Sequence, residues 1–300
     1  MSDIDKNTGK KRRAERWGDS DWTSARFPLV SAAQLHGALG SERLRIIDAT
    51  FNPFQARDRA ATDFSRRHLP DAVYLELDTL HDQESSLPNM LPTSSDFESR
   101  MAGLGISNDD IVVLYDNSHC RTAARAWWMF RMFGVADVWI LDGGLSAWLQ
   151  SGYATTSGRT KIDASTFQAH APIAGLRTKA SVEAALRLRS EQIVDARSTA
   201  RFLGTDPDPH GLPSGHICGS FNVPFSLMLD DHGYFQRAER LRATFHEAGV
   251  DPSRPITATC GSGVSAAILY VAAVLCGSPE PGLYDGSWSE WSRAPSGNSV

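Results

Sequence analysis

Short apolar runs alternate with longer mixed segments along this chain, and the same order of runs occurs twice. IVVLYD (111–116) is apolar and β-branched, as expected of a strand buried on both faces of a parallel sheet. TAARAWWMFRMFG (122–134) continues as a helix ended by Gly134, and VWILD supplies another strand. In the second half ITATC (256–260) reads as strand and VSAAILYVAAVLCG (264–277) as helix, closed by Gly277 with Pro279 behind it. Strands alternating with helices predict an α/β fold, each unit a mostly parallel sheet flanked by helices.

The repetition can be followed segment by segment. IIDAT (46–50) recurs as IVDAR (193–197), and RHLPDAVYLELD from Arg67 recurs as GHICGSFNVPFS from Gly215. LGISNDDIVVLYD, ending at Asp116, matches AGVDPSRPITATC, ending at Cys260, and LDGGLSAW, ending at Trp148, matches YDGSWSEW, ending at Trp291. Offsets of 147, 148, 144 and 143 residues in unbroken order indicate duplication of a whole domain, a period far too long for a solenoid. Residues 151–177, rich in Ser, Thr, Gly and Ala, read as the linker between a first domain at 22–150 and a second at 178–300, and the seam between them as a natural cleft.

Composition narrows the function classes. The 300 residues are 41% hydrophobic and 22% charged, the balance of a folded globular protein, and the net charge of -5 offers no basic field for nucleic acid. Cys120, Cys218, Cys260 and Cys276 form no C-x-x-C pair and no Cys/His cluster, which argues against structural zinc and a disulfide framework. Residues 1–21 are polar, carry the run Lys10 to Arg13 and lack an apolar core, so they read as a solvated disordered tail. With no apolar stretch long enough to span a bilayer, the chain is expected to be cytoplasmic and to act away from membranes.

The chemistry concentrates at CGSGVSA (260–266). Cys260 ends a predicted strand just before a helix, where open α/β sheets place their ligand sites. Gly261 and Gly263 let the backbone curl, so that N–H groups of the stretch through Ser262, Val264 and Ser265 can converge on one atom. Their dipoles, with the helix N-terminus, favour a thiolate and any anionic derivative of it. Cys276 lies in an apolar helical run and reads as core, while Cys218 and Cys120 sit in loops without supporting neighbours. In the first half the matching position is Asp116, followed by NSHCR, with no comparable glycine cradle expected and no nucleophile.

CGSGVSA, YDGSWSEW, the DAR-S-x-x-R-F-x-G-T segment from Asp195 to Thr205 and SGHICGSFNVPF together resemble two-domain rhodanese-type sulfurtransferases, over about residues 22 to 293. The loop itself is similar to that of the 3-mercaptopyruvate-using members, whereas thiosulfate-using members typically carry C-R-K-G-V-T. The resemblance implies two tandem rhodanese-like domains. It implies a Cys260 persulfide, loaded from 3-mercaptopyruvate with release of pyruvate or, as the alternative, from thiosulfate, that passes sulfur to cyanide, a small thiol or a thioredoxin-like reductant with no metal or organic cofactor. It gives Arg201 the donor carboxylate. His210 stands where the family usually has a second arginine, so donor binding is expected to depend on histidine protonation. His68 matches a histidine proposed to assist Ser262 with a nearby acid, for which Asp63 and Asp58 are both candidates. His216, in the same place in the second half, favours a structural role for the pair. Two other classes fit less well. A cysteine phosphatase needs arginine six residues after its nucleophile, where this chain has Ala266, and an inert binding module has no use for an intact nucleophile loop.

Overall fold

A computed structural model describes residues 27–52, 58–170, 175–209 and 211–293. The expected tail at 1–21 and His210 lie outside the described residues. Two five-stranded parallel sheets are present. The first, ordered β1-β5-β4-β2-β3, contains β1 (Leu29–Val30), β2 (Leu44–Asp48), β3 (Val73–Tyr74), β4 (Ile111–Tyr115) and β5 (Val138–Leu141). The second repeats that order as β6-β10-β9-β7-β8, from β6 (Leu176–Arg177), β7 (Gln192–Asp195), β8 (Phe221–Asn222), β9 (Ile256–Thr259) and β10 (Gly282–Tyr284). β2 pairs with β4 from Leu44↔Ile111 to Asp48↔Tyr115, and β7 with β9 from Gln192↔Ile256 to Asp195↔Thr259, so equivalent strands share a register. The expected linker gives up its last two residues to the second sheet, because Leu176 and Arg177 pair with Leu283 and Tyr284.

The helices of the first unit are α1 (Ala32–Gly37), α2 (Asp58–Arg66), α3 (Ser94–Gly103), α4 (Ala123–Met132) and α5 (Gly144–Gln150). Those of the second are α6 (Lys179–Leu188), α7 (Thr199–Leu203), α8 (Ala238–Glu247), α9 (Ala266–Cys276) and α10 (Ser287–Trp291). Local sequence starts several of them. Ser31 and Gln34 form a capping box on α1, Thr93 caps α3 through the Asp96 N–H, and Thr178 with Ser181 boxes α6. Gly277, at φ +77°, closes α9.

α4 and α9, the two most apolar helices, pack against each other across the seam, and Trp127 meets Tyr270 with ring centroids 6.1 Å apart. These are the fifth residues of their helices, so the duplicated units meet through equivalent positions at this contact. One continuous core follows, joining Trp128 and Phe130 of the first domain to Ile268 and Leu269 of the second. Each such fully buried Leu or Ile contributes about 1.5–3 kcal/mol. The domains are therefore fused through their interiors, and the loops preceding α4 and α9 are brought to the same seam.

Candidate active site

Cys260 leaves the carboxyl end of β9 and is 2% exposed. Its Sγ accepts the Gly263 N–H at 3.1 Å. Among the described residues this is the one N–H on the thiol, fewer than the sequence suggested, and the N–H groups of Ser262, Val264 and Ser265 have no protein acceptor. Gly263 sits at φ +80°, and a Cβ there would lie 2.9 Å from the Asp285 carbonyl, so the turn that aims its N–H at the sulfur requires glycine.

The loop is braced by the start of α10. The Trp288 N–H donates to the Cys260 carbonyl at 3.0 Å, and both the N–H (2.9 Å) and the hydroxyl (2.8 Å) of Ser289 donate to the Gly261 carbonyl. Ser287 adopts φ +49°, a conformation costly for a residue with a Cβ. Its hydroxyl accepts the Cys260 N–H at 3.2 Å and donates to the Tyr284 carbonyl at 2.8 Å.

The first domain completes the site. Arg125 of α4 forms a 2.7 Å ion pair with Asp285, the partners being 3% and 2% exposed, and also donates to the Gly263 and Asn89 carbonyls. Asp285 accepts the Leu91 N–H at 2.6 Å as well. The Asn89 amide donates to Ser262 Oγ at 3.0 Å. Sequence reasoning missed Arg125, Asp285, Asn89 and Leu91. One signal was present: the duplicated DG of LDGG and YDGS places Asp142 opposite Asp285, and Asp142 likewise reaches across the seam to accept the Phe235 N–H at 2.9 Å.

Arg201, on α7, lies over the loop: a Cβ on Gly261 would stand 3.1 Å from its Nη2. That nitrogen binds Asp208 at 2.5 Å, an acid the sequence reading passed over. Val264 is buried and Ser265 caps α9 without a side-chain hydrogen bond.

The anticipated His68 relay is not what the described contacts form. His68 is buried, its Nδ1 lies 2.8 Å from the Phe64 carbonyl, its ring stacks on Phe64, and its backbone exchanges two 2.9 Å hydrogen bonds with Thr156 of the linker. His216 repeats this on Phe202, with Nδ1 2.9 Å from the carbonyl and the rings stacked. Asp63 faces Arg59 and Arg66 on its own helix at the surface, and Ser262 is met by Asn89. Duplicated geometry around both histidines marks a turn lock inherited by each unit.

At the seam, the space bounded by Phe51, Asn89, Arg125 and Val264 is only about 10 Å³. It widens elsewhere to about 400 Å³ between Asn117, His119 and Arg121 of one domain and Phe225, Asp230 and His232 of the other. A further cavity of about 700 Å³ opens at the carboxyl edge of the first sheet, lined by Asp48, Arg59, Asp63 and Asn117. Cys120, half-buried in the loop before α4, has its thiol pushed up by burial and by the nearby Asp116 and Cys260, which keeps it protonated and a poor competitor for the nucleophile's role.

A Rhodanese-like domain model matches residues 31–151 and again 178–294. The chain belongs to the rhodanese family. It is a two-domain sulfurtransferase, similar to the thiosulfate sulfurtransferase of Gallus gallus (40% identical over 274 residues, 89% of this chain and 94% of that protein). It is equally similar to the 3-mercaptopyruvate sulfurtransferase of Homo sapiens (40% over 271 residues, 88% and 91%). Among solved structures, SseA from Escherichia coli, described as a 3-mercaptopyruvate sulfotransferase, superposes with a TM-score of 0.80 at 34% identity, covering 88% of this chain and 99% of that one. Among the described residues of this rhodanese-family protein no helix is long and apolar enough to cross a membrane, and no His, Cys, Asp and Glu side chains cluster as a metal site.

Proposed function

We propose that the chain takes sulfur from 3-mercaptopyruvate and passes it, through a persulfide on Cys260, to a thiol or to cyanide. Supporting this donor is the loop beside the sulfur, where Gly261 and Ser262 bring no cation and one guanidinium, Arg201, lies against Gly261. A donor with a single fixed carboxylate matches one guanidinium, whereas thiosulfate and its departing sulfite carry two charges.

In this reading the donor carboxylate rests on Arg201 and the Cys260 thiolate attacks the donor sulfur. The new S–S bond forms as the C–S bond breaks, and its electron pair leaves on carbon as pyruvate enolate, which then takes a proton. Because the Asn89 amide occupies a lone pair of Ser262 Oγ, the Ser262 hydroxyl keeps its own proton to donate to the enolate oxygen. The loop N–H groups without protein acceptors are free to donate to the anionic outer sulfur. An acceptor thiolate then attacks that sulfur and Cys260 leaves as thiolate.

Thiosulfate is the second reading, favoured by relatives of that name at the same 40% identity. Initial rates on the two donors test the choice: a specificity constant more than about tenfold higher for mercaptopyruvate is expected, a difference above about 1.4 kcal/mol, and a preference for thiosulfate overturns it.

A further inference from the structure

Arg201 is already occupied in this structure, and its occupant is a carboxylate. Gly204, in the left-handed conformation, ends α7, and the N–H groups of Thr205 and Asp206 both turn back onto the Ala200 carbonyl. The chain therefore folds under the helix and carries Asp208 to Arg201, where Oδ2 meets Nη2 at 2.5 Å. The Asp208 side chain is 4% exposed and Arg201 22%, so the acid is the more deeply enclosed partner. Arg201 Nε is buried with no hydrogen-bond partner among the described residues, so the fork is only partly used. The same Nη2 borders Gly261, which places the carboxylate beside the loop that carries the nucleophile.

We infer that Asp208 is a specificity-determining residue, whose fixed charge limits how much negative charge a sulfur donor can bring to Arg201. The inference rests on the reading of Arg201 as the donor-anion site given above. Arg201 and Asp208 together are neutral. Beside that pair a monoanionic donor adds one uncompensated negative charge and a dianion two, each repelled by a carboxylate that water screens poorly. An arginine without Asp208 would attract both donors and the dianion more. The acid thus sacrifices affinity for anions in general and gains discrimination against the doubly charged ones.

The test is Asp208→Asn, with Asp208→Glu as the charge-retaining partner, each measured on 3-mercaptopyruvate and on thiosulfate. Asp208→Asn is expected to shift the ratio of specificity constants toward thiosulfate by about tenfold, through a lower KM for thiosulfate. Asp208→Glu is expected to hold the parental ratio. A ratio unchanged within about twofold in Asp208→Asn overturns the inference, as does an equal shift in Asp208→Glu, which would make geometry the cause and not charge. Where Asp208→Asn does not fold, Asp208→Ser is read by the same criteria. The parent enzyme's own preference is a separate result: if it favours thiosulfate the donor reading fails, while the direction of the Asp208→Asn shift still decides the role of Asp208.

Discussion

The two domains share a fold and a register and differ at a few positions where chemistry begins. At the end of the central strand the first has Asp116 and the second Cys260. Asp116 is held by its own loop much as the sulfur is: Oδ1 accepts the Ser118 N–H at 2.8 Å and Oδ2 the Ala123 N–H at 2.9 Å. The NSHCR loop is therefore a cradle after all, made without glycines. Beyond the strand that follows, a left-handed residue starts α5 or α10, Gly144 at φ +58° and Ser287 at φ +49°, and the residue after it donates to the carbonyl of Asp116 or Cys260 at 3.0 Å. At the end of each central strand the loop thus aims backbone N–H groups at the side chain that leads it, two at Asp116 and one at Cys260.

The neighbouring strand diverges too. Asp195 is paired with Arg197 at 2.7 Å, and that guanidinium also reaches the Gly215 carbonyl and stacks over Trp288. In the first domain Thr50 replaces the arginine, and burial pushes the Asp48 carboxyl up to about 6.

The sharpest break is chemical. Cys260→Ser is expected to abolish transfer to every acceptor, while Cys276→Ser and Cys120→Ser retain most of it. Donor treatment should add about 32 Da, one sulfur, to the peptide holding Cys260, with the label read by mass spectrometry. Turnover surviving in Cys260→Ser would remove the asymmetry between the domains.

Next come the buried charges, where one substitution should have opposite signs in the two copies. Asp195→Asn leaves Arg197 without its counter-ion and is expected to lower unfolding free energy by about 3–5 kcal/mol in urea titrations. Asp48→Asn should do the reverse. A carboxyl whose folded pKa lies above its unfolded value holds its proton more tightly when folded, so stability is lost as pH rises from 3.8 to about 6 and the penalty is full above that. Removing the charge should therefore stabilise the protein at pH 8 by up to about 3 kcal/mol, with the gain gone below about pH 4. A destabilised Asp48→Asn at pH 8 would show that the lost hydrogen bonds outweigh the relieved charge.

The smallest effect is expected at the paired histidines. His68→Gln and His216→Gln should each cost about 1 kcal/mol by urea unfolding and leave sulfur transfer within about threefold. A hundredfold activity loss confined to His68→Gln would return it to the reaction.

Legibility followed burial and sequence distance. Strands β4, β5 and β9 and helices α4 and α9 were readable because they are buried and largely apolar, and the duplication of the central strand and its helix doubled the signal. The edge strands β1, β3, β6 and β8, two residues each, carry no period to read, which is why β6 was taken into the linker. At the site, Cys260 and its glycines are contiguous and could be recognised together. Asn89 and Ser262 are 173 residues apart and Arg125 and Asp285 160, and no local pattern reports a hydrogen bond made across a domain seam. Asp208 stands only seven residues from Arg201, but its meaning depends on the turn at Gly204 that folds it back.

The crossing of Arg125, Asn89 and Leu91 onto the second domain has a consequence for heredity. A gene for the second half alone would specify a nucleophile loop lacking the guanidinium on Asp285 and Gly263, the amide on Ser262 and the N–H on Asp285. The copy without a nucleophile is thus bound to its sister, and substitutions at positions 125 and 285 are expected to act together as if the two were neighbours in the chain.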